Sequence, residues 1–170
     1  YGANPPTADI QANETLVFVV DLVPTPTPTP AAKTVGTAGV MVAHLDSLDR
    51  VQGRNLWWGG HAVPGAWDIE GGAFSLGANL KWWRDNMGLE EQVEADKTGR
   101  SVYAVMVDKA LTSPPGANGL MFHSFLVSQV TPYYDAASRG GWIGLGLNHT
   151  RADMLRALLE GCAHEMRMVV

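Results

Sequence analysis

Two short stretches carry residue types suited to holding an anion. Gly36-Thr37-Ala38-Gly39 places a hydroxyl between glycines, in a neighbourhood that reads as strand, tight turn and strand over 34–42. Glycine at both ends frees the backbone to point consecutive N–H groups inward as an anion nest, and Thr37 adds a donor. The competing reading is a glycine hairpin that binds nothing. The second stretch is Gly77 and Lys81, at the start of a predicted helix over 76–87 in which Leu80, Trp83 and Met87 recur three and four apart. A helix N-terminus favours negative charge, and a glycine there lets a ligand come close. Close packing at Gly77 with a solvated Lys81 explains the same residues equally well.

Other chemistry is less well supported. His44, His61, His123, His149 and His164 show no metal-ligand spacing beside acidic partners, so no metal centre is expected. The single cysteine, Cys162, excludes an internal disulfide and a Cys-rich zinc site. Trp57-Trp58 and Trp82-Trp83 would suit a sugar-stacking platform, but core and interface packing is the commoner use of large aromatics. Asp135 and Arg139 read as residues that fix a loop. Arg151 and Glu160 fall on the last predicted helix and serve it or a domain interface.

The elements that must position these groups are partly legible. Residues 1–14 are polar and turn-rich, 16–23 form an apolar, β-branched run of strand length, and 24–30 alternate proline and threonine as a stiff linker. A loop is expected from 43 to Gly60, then a turn entering a strand over 61–69. Gly88 stands where a helix C-cap glycine belongs. Residues 89–100 are charged and read as an exposed helix or loop, while 101–111 do not settle between helix and strand. Pro114-Pro115-Gly116-Ala117-Asn118-Gly119 is a turn, 120–126 a strand and 131–139 a loop. The clearest helix starts at Thr150, a natural N-cap with Asp153 three residues on, and presents Ala152, Leu155, Leu158, Leu159, Cys162, Ala163 and Met166 as its apolar face. A mixed α/β domain follows, with one sheet carrying 16–23, 34–42 and 120–126 and the 150–169 helix against it.

Composition sets outer bounds. A length of 170 residues with 46% apolar content is enough for one globular domain. The net charge of −5, with no run of lysine and arginine, argues against nucleic acid as a partner. No apolar run reaches the roughly 18 residues of a membrane helix. The first residues lack the basic region of a signal peptide, which makes the cytoplasm the expected compartment. Starting at Tyr1, the chain is expected to begin inside a longer translation product.

Four stretches, in order, resemble the FGGY carbohydrate kinases, the group of xylulokinase and glycerol kinase. They are Gly36-Thr37-Ala38-Gly39, His61-Ala62-Val63-Pro64-Gly65-Ala66-Trp67, the segment from Gly71-Gly72 to Arg84-Asp85, and the long run from Pro115 to Arg167. The last includes Thr131-Pro132-Tyr133-Tyr134-Asp135, His149-Thr150-Arg151-Ala152 and Leu159-Glu160-Gly161. The resemblance spans 33–167 and is closer to the xylulokinase-like members. It implies an incomplete actin-like, ribonuclease-H-like ATPase domain over 31–170, a mixed sheet with flanking helices, with residues 1–30 outside it. It also implies ATP with Mg²⁺, phosphates held by Gly36, Thr37, Ala38 and Gly39, and further nucleotide contacts from Gly77 and Lys81.

Departures from the family pattern shape the functional expectation. Ala38 replaces a family Ser or Thr, and Ser128-Gln129-Val130-Thr131-Pro132 stands where the family reads G-E-R-T-P. The family's catalytic aspartate sits in a Gly-Asp-[QN] motif before the glycine turn. Here that region is the proline–threonine linker, and Asp21 lacks the flanking glycine, so no catalytic residue is assigned. The family's adenosine loop and sugar domain are expected outside these residues. The chain therefore reads as the nucleotide-side half of an ATP-dependent sugar or polyol kinase, inactive alone, partnered by the missing kinase domain or by a second copy as a homodimer. The alternative is a catalytically dead relic acting as a binding or self-assembly module.

Overall fold

A computed structural model of the chain describes residues 38–50 and 55–169. The expected strand at 16–23, the linker, and Gly36 and Thr37 lie outside the described residues. Among the described residues, five strands and four α-helices follow in chain order: β1 (Gly39–Leu45), β2 (Trp57–Gly60), β3 (Trp67–Ala73), α1 (Leu76–Asn86), α2 (Leu89–Thr98), α3 (Val102–Leu111), β4 (Met121–His123), β5 (Gly141–Ile143) and α4 (Arg151–Val169). Among the described residues there are two sheets, not one. An antiparallel sheet has the order β1-β3-β2, and β4 pairs with β5 in a separate two-stranded ribbon. The expected common sheet fails because apolar runs mark strands without naming their partners.

Of the strand, turn and strand expected over 34–42, residues 34–37 lie outside the described residues and the second strand runs from Gly39 on to Leu45, while the expected loop to Gly60 ends in the strand Trp57–Gly60. The 120–126 strand shrinks to Met121–His123, because Leu126 N–H turns back to the Ser124 carbonyl at 3.1 Å. Residues 101–111 settle as helix, closed by the turn at Thr112. Gly88 is not a left-handed cap. Its φ is −89°, it precedes α2, and a Cβ there would meet the Arg84 Cα at 2.8 Å. Helix α1 instead ends at Met87, whose N–H reaches the Trp83 carbonyl. Glycine is required at Gly88 by the tight corner between α1 and α2 rather than by a positive φ.

The core lies where α1, α3, α4 and the β4–β5 ribbon meet. Trp83, Met106, Leu120, Leu155 and Leu158 are its largest fully buried apolar side chains, and Trp142 packs on Trp83 and Phe122. Helix α4 delivers Ala152, Leu155 and Leu158 as its spacing predicts, while the predicted Ala163 is exposed and Glu165 is buried in its place. Helix α2 corrects the expectation of an exposed segment, since Glu91 and Ala95 are buried.

Close backbone approach explains two glycines of the recognisable run. At Gly161 a Cβ would lie 2.3 Å from the Phe122 carbonyl oxygen, so α4 can cross β4 only at a glycine. At Gly140 it would lie 2.8 Å from the His123 carbonyl oxygen. The proline–glycine turn is as sharp as its composition suggests. Gly116, Ala117, Asn118 and Gly119 take φ values of 83°, 45°, 54° and 91°, a left-handed stretch that Ala117 adopts only under tertiary restraint.

Candidate functional site

Strand β1 begins at Gly39, whose register partner is Ala73, the last residue of β3. The chain passes only Phe74 and Ser75 before α1 starts, so the end of the glycine turn comes to rest on the first turn of α1. A Cβ on Gly39 would stand 2.3 Å from Leu76 Cδ1 and 3.0 Å from Met166 Sδ, so Gly39 packs directly on these two flexible side chains. Ala38 is exposed, and Gly77 is buried in the opening turn of α1.

That opening turn, like the start of α3, has neither a side-chain cap nor a carboxylate. Ser75 occupies the N-cap position, but its hydroxyl makes no cap and donates instead to the Ser124 carbonyl at 2.7 Å. Asn79 Nδ2 donates to the same carbonyl at 2.7 Å. The first turn holds no acidic residue. The first N–H groups of a helix otherwise lack partners, so an uncapped start without a carboxylate keeps its positive field. Two buried hydrogen bonds to the β4 exit fix the direction in which that field points.

Lys81 stands one turn beyond Gly77 and is half exposed. Its Nζ meets Asp85 Oδ2 at 2.6 Å, and Arg84 meets Asp85 Oδ1 at 2.6 Å. The hydrogen bond from Arg84, then that from Lys81, holds the Asp85 carboxyl at about 2, below its ordinary value. Gly39 thus rests on Leu76, at the start of the helix that carries Gly77 and Lys81, and Lys81 is already paired with Asp85.

The remaining recognisable residues brace the fold. Asp153 accepts from the Thr150 N–H and hydroxyl at 2.7 Å each, and Thr150 Oγ1 accepts the Asp153 N–H at 3.3 Å, a reciprocal cap at the start of α4. Asp153 also accepts from Ser113 at 2.6 Å and Asn118 Nδ2 at 2.8 Å, so it fixes the left-handed turn. Glu160 accepts the Gly116 N–H at 3.1 Å and pairs with Arg156 at 2.6 Å. Arg151 joins three helices: it donates to the Met87 carbonyl at 2.8 Å, pairs with buried Glu91 at 2.7 Å, and lies over the Trp83 ring at 5.3 Å.

Asp135 and Arg139 fix their loop as their types suggest. Asp135 accepts from Ala137 N–H and Ser138 Oγ, and Arg139 donates to the Ala136 and Ser138 carbonyls. The Thr131 hydroxyl, which sequence reasoning did not single out, clamps Gly72 by accepting its N–H at 2.8 Å and donating to its carbonyl at 2.7 Å. Burial pushes the Cys162 thiol up to about 11, which makes it a poor nucleophile at neutral pH.

The tryptophan pairs divide by face. Trp83 is fully buried and Trp82 partly exposed, while Trp57 stacks on Phe74 and Trp58 is exposed against Trp67. Linear spacing shows no metal-ligand grouping among the histidines, yet in the fold His44, His61 and Asp68 each bring one ligand atom within 4.8 Å of the others. Strand pairing supplies the proximity that linear spacing does not show.

Residues 31–170 match the FGGY family of carbohydrate kinases, C-terminal domain. The xylulose kinase of Staphylococcus xylosus is 33% identical over 132 residues, covering 78% of this chain and 25% of that protein. The gluconokinase of Bacillus subtilis is 30% identical over 139 residues, covering 81% of this chain and 27% of that protein. Among solved structures, the xylulose kinase from Rhodospirillum rubrum superposes with a TM-score of 0.62 at 27% identity, covering 78% of this chain and 24% of that one. The chain spans about a quarter of the length of these relatives. The fold is a partial mixed α/β domain of the actin-like, ribonuclease-H-like kind. On the match over 31–170, the chain belongs to the FGGY family of carbohydrate kinases and carries the family's C-terminal domain.

Proposed function

We propose that these residues form the nucleotide side of an ATP-dependent carbohydrate kinase. In this reading the Gly36-Thr37-Ala38-Gly39 turn and the first turn of α1 receive the phosphates of Mg²⁺-bound ATP, with Gly77 allowing close approach and Lys81 adding charge. The observation that carries it is the start of α1. It is uncapped by side chains, free of acidic residues and held against Gly39, the arrangement that suits a phosphate. Lys81 reaches the nucleotide by exchanging Asp85 for a phosphate, and Arg84 stays behind to hold the aspartate. Transfer to a sugar or polyol hydroxyl depends on positioning and charge stabilisation across a closed cleft. One wall of that cleft binds nucleotide without turning it over.

Calorimetric titration of the chain with ADP and Mg²⁺ tests this. Saturable binding is expected, and Lys81→Ala should weaken it by roughly ten-fold or more, the worth of one charge-assisted contact, with little change in melting temperature. No saturation at millimolar ADP, or an undiminished affinity in Lys81→Ala, counts against the nucleotide reading. Sugar-dependent ADP release by these residues alone, abolished by Thr37→Val, counts against the one-wall reading. A second reading, a self-assembly module without catalysis, is favoured by an open groove of about 670 Å³ between α4 and β4, walled by Phe122, Phe125, Tyr133 and Met168.

A further inference from the structure

We propose that His44, His61 and Asp68 form a binding site for a divalent transition-metal ion, best suited to Zn²⁺, at the end of the β1-β3-β2 sheet. In the β1–β3 register His44 lies directly opposite Asp68, so the two side chains leave the sheet on one face. Strand β2 ends at Gly60 opposite Trp67, which brings His61 to the same edge. A tight turn holds it there: the His61 N–H donates to the Ala66 carbonyl at 3.1 Å, and the Ala66 N–H donates to the Val63 carbonyl at 3.2 Å. His61 Nε2 stands 3.8 Å from Asp68 Oδ1, and the two imidazole rings meet edge to face at 5.1 Å between centroids.

The protonation pattern of His44 adds an independent observation. Its Nε2 lies 3.1 Å from Asp46 Oδ1, so the ring donates there and the proton is fixed on Nε2. Its Nδ1 then carries a free lone pair, and that atom is buried without any hydrogen-bond partner. Buried polar atoms without partners are few in folded proteins. A histidine whose second nitrogen donates to a carboxylate is also the usual supporting arrangement around a bound metal.

Two imidazoles and one carboxylate make a mixed nitrogen–oxygen set that Zn²⁺ accepts, with water in the fourth position. Ligand atoms around a tetrahedral zinc sit about 3.3 Å apart, given bonds of about 2.0–2.2 Å. The present spread of up to 4.8 Å must therefore close somewhat on loading. His61 opposes binding in one respect. Its Nδ1 accepts the Val63 N–H at 2.9 Å, which puts the proton on Nε2. Loading moves that proton and gives up the Val63 bond, a weakening of roughly five-fold for one exposed hydrogen bond. Asp68 and the nearby Asp46 offset the charge of the ion. Gly39 and His44 lie toward opposite ends of β1, so this site is separate from the proposed phosphate turn.

The test uses the 170-residue chain without any histidine tag, stripped with a chelator and titrated with ZnCl₂ at neutral pH. One equivalent is expected to bind in the micromolar range, with Asp68→Asn and His44→Ala each weakening binding at least ten-fold. His164→Ala, on α4, should bind as the parent does. Co²⁺ in place of Zn²⁺ should give the intense visible absorption of a four-coordinate site, and Zn²⁺ should abolish it. Should His44→Ala fail to fold, the Asp68→Asn titration and the cobalt spectrum decide. Absence of a one-equivalent transition, equal affinity in Asp68→Asn, or a pale six-coordinate cobalt spectrum would overturn the proposal.

Discussion

Asp153 ties a helix start to a distant turn. It caps α4 through Thr150 and holds the left-handed 116–119 turn through Ser113 and Asn118. The Ser113 hydroxyl and the Thr150 N–H hold its carboxyl at about 2, below the ordinary 3.8. A depressed folded value stabilises the fold above the unfolded value and loses that effect as pH falls toward the folded one. Stability should therefore decline between about pH 4 and pH 2. Asp153→Ala should cost about 2 kcal/mol at neutral pH, from the lost cap and the stranded Ser113 and Asn118 groups. It should also flatten that acid limb. Urea unfolding at several pH values measures both, and an unchanged limb would remove Asp153 as its source. The cap was legible because Thr150 and Asp153 are neighbours on one helix. The other two partners were not, lying 40 and 35 residues away in sequence.

Between elements, the crossing of α4 over β4 is a backbone contact that turns on a single residue, Gly161. Gly161→Ala would ordinarily gain about 1 kcal/mol of helix propensity. Here the new methyl meets the Phe122 carbonyl oxygen, which cannot swing aside as a flexible side chain can. The substitution should instead destabilise by about 1–3 kcal/mol, read as a lowered thermal midpoint. A raised midpoint would show that the crossing can open. Helix α4 was clear in the sequence from its cap and its apolar spacing. Helix α2 was misread because Glu90, Glu91, Glu94 and Asp96 look like a solvated face. What buries Glu91 is Arg151, 60 residues later, and no local pattern announces a carboxylate matched by a distant guanidinium.

At the scale of the whole molecule, the family motifs carried the fold class, while strand pairing stayed hidden until the sheets were seen. At the candidate site the family resemblance singled out Gly39 and Gly77, whereas the uncapped start of α1 and the His44–His61–Asp68 grouping come from the structure alone. The open α4–β4 groove leads us to propose a two-fold dimer, the commonest closed assembly, that hides Met168 and Tyr133. Sedimentation at micromolar concentration should give twice the 18.2 kDa chain mass, and Met168→Glu should return a monomer. A parent chain that sediments as a monomer removes this assembly. The tryptophans carry a different consequence. All six fall into two groups: Trp57, Trp58 and Trp67 on the three-stranded sheet, and Trp82, Trp83 and Trp142 around α1 and the ribbon. Trp58 and Trp67 in the first group, and Trp142 with Trp82 and Trp83 in the second, have ring centroids about 6 Å apart, close enough for excited states to couple. The chain thus carries two built-in optical reporters, one for the sheet and one for the helical body, and light absorbed by either reads out its own half.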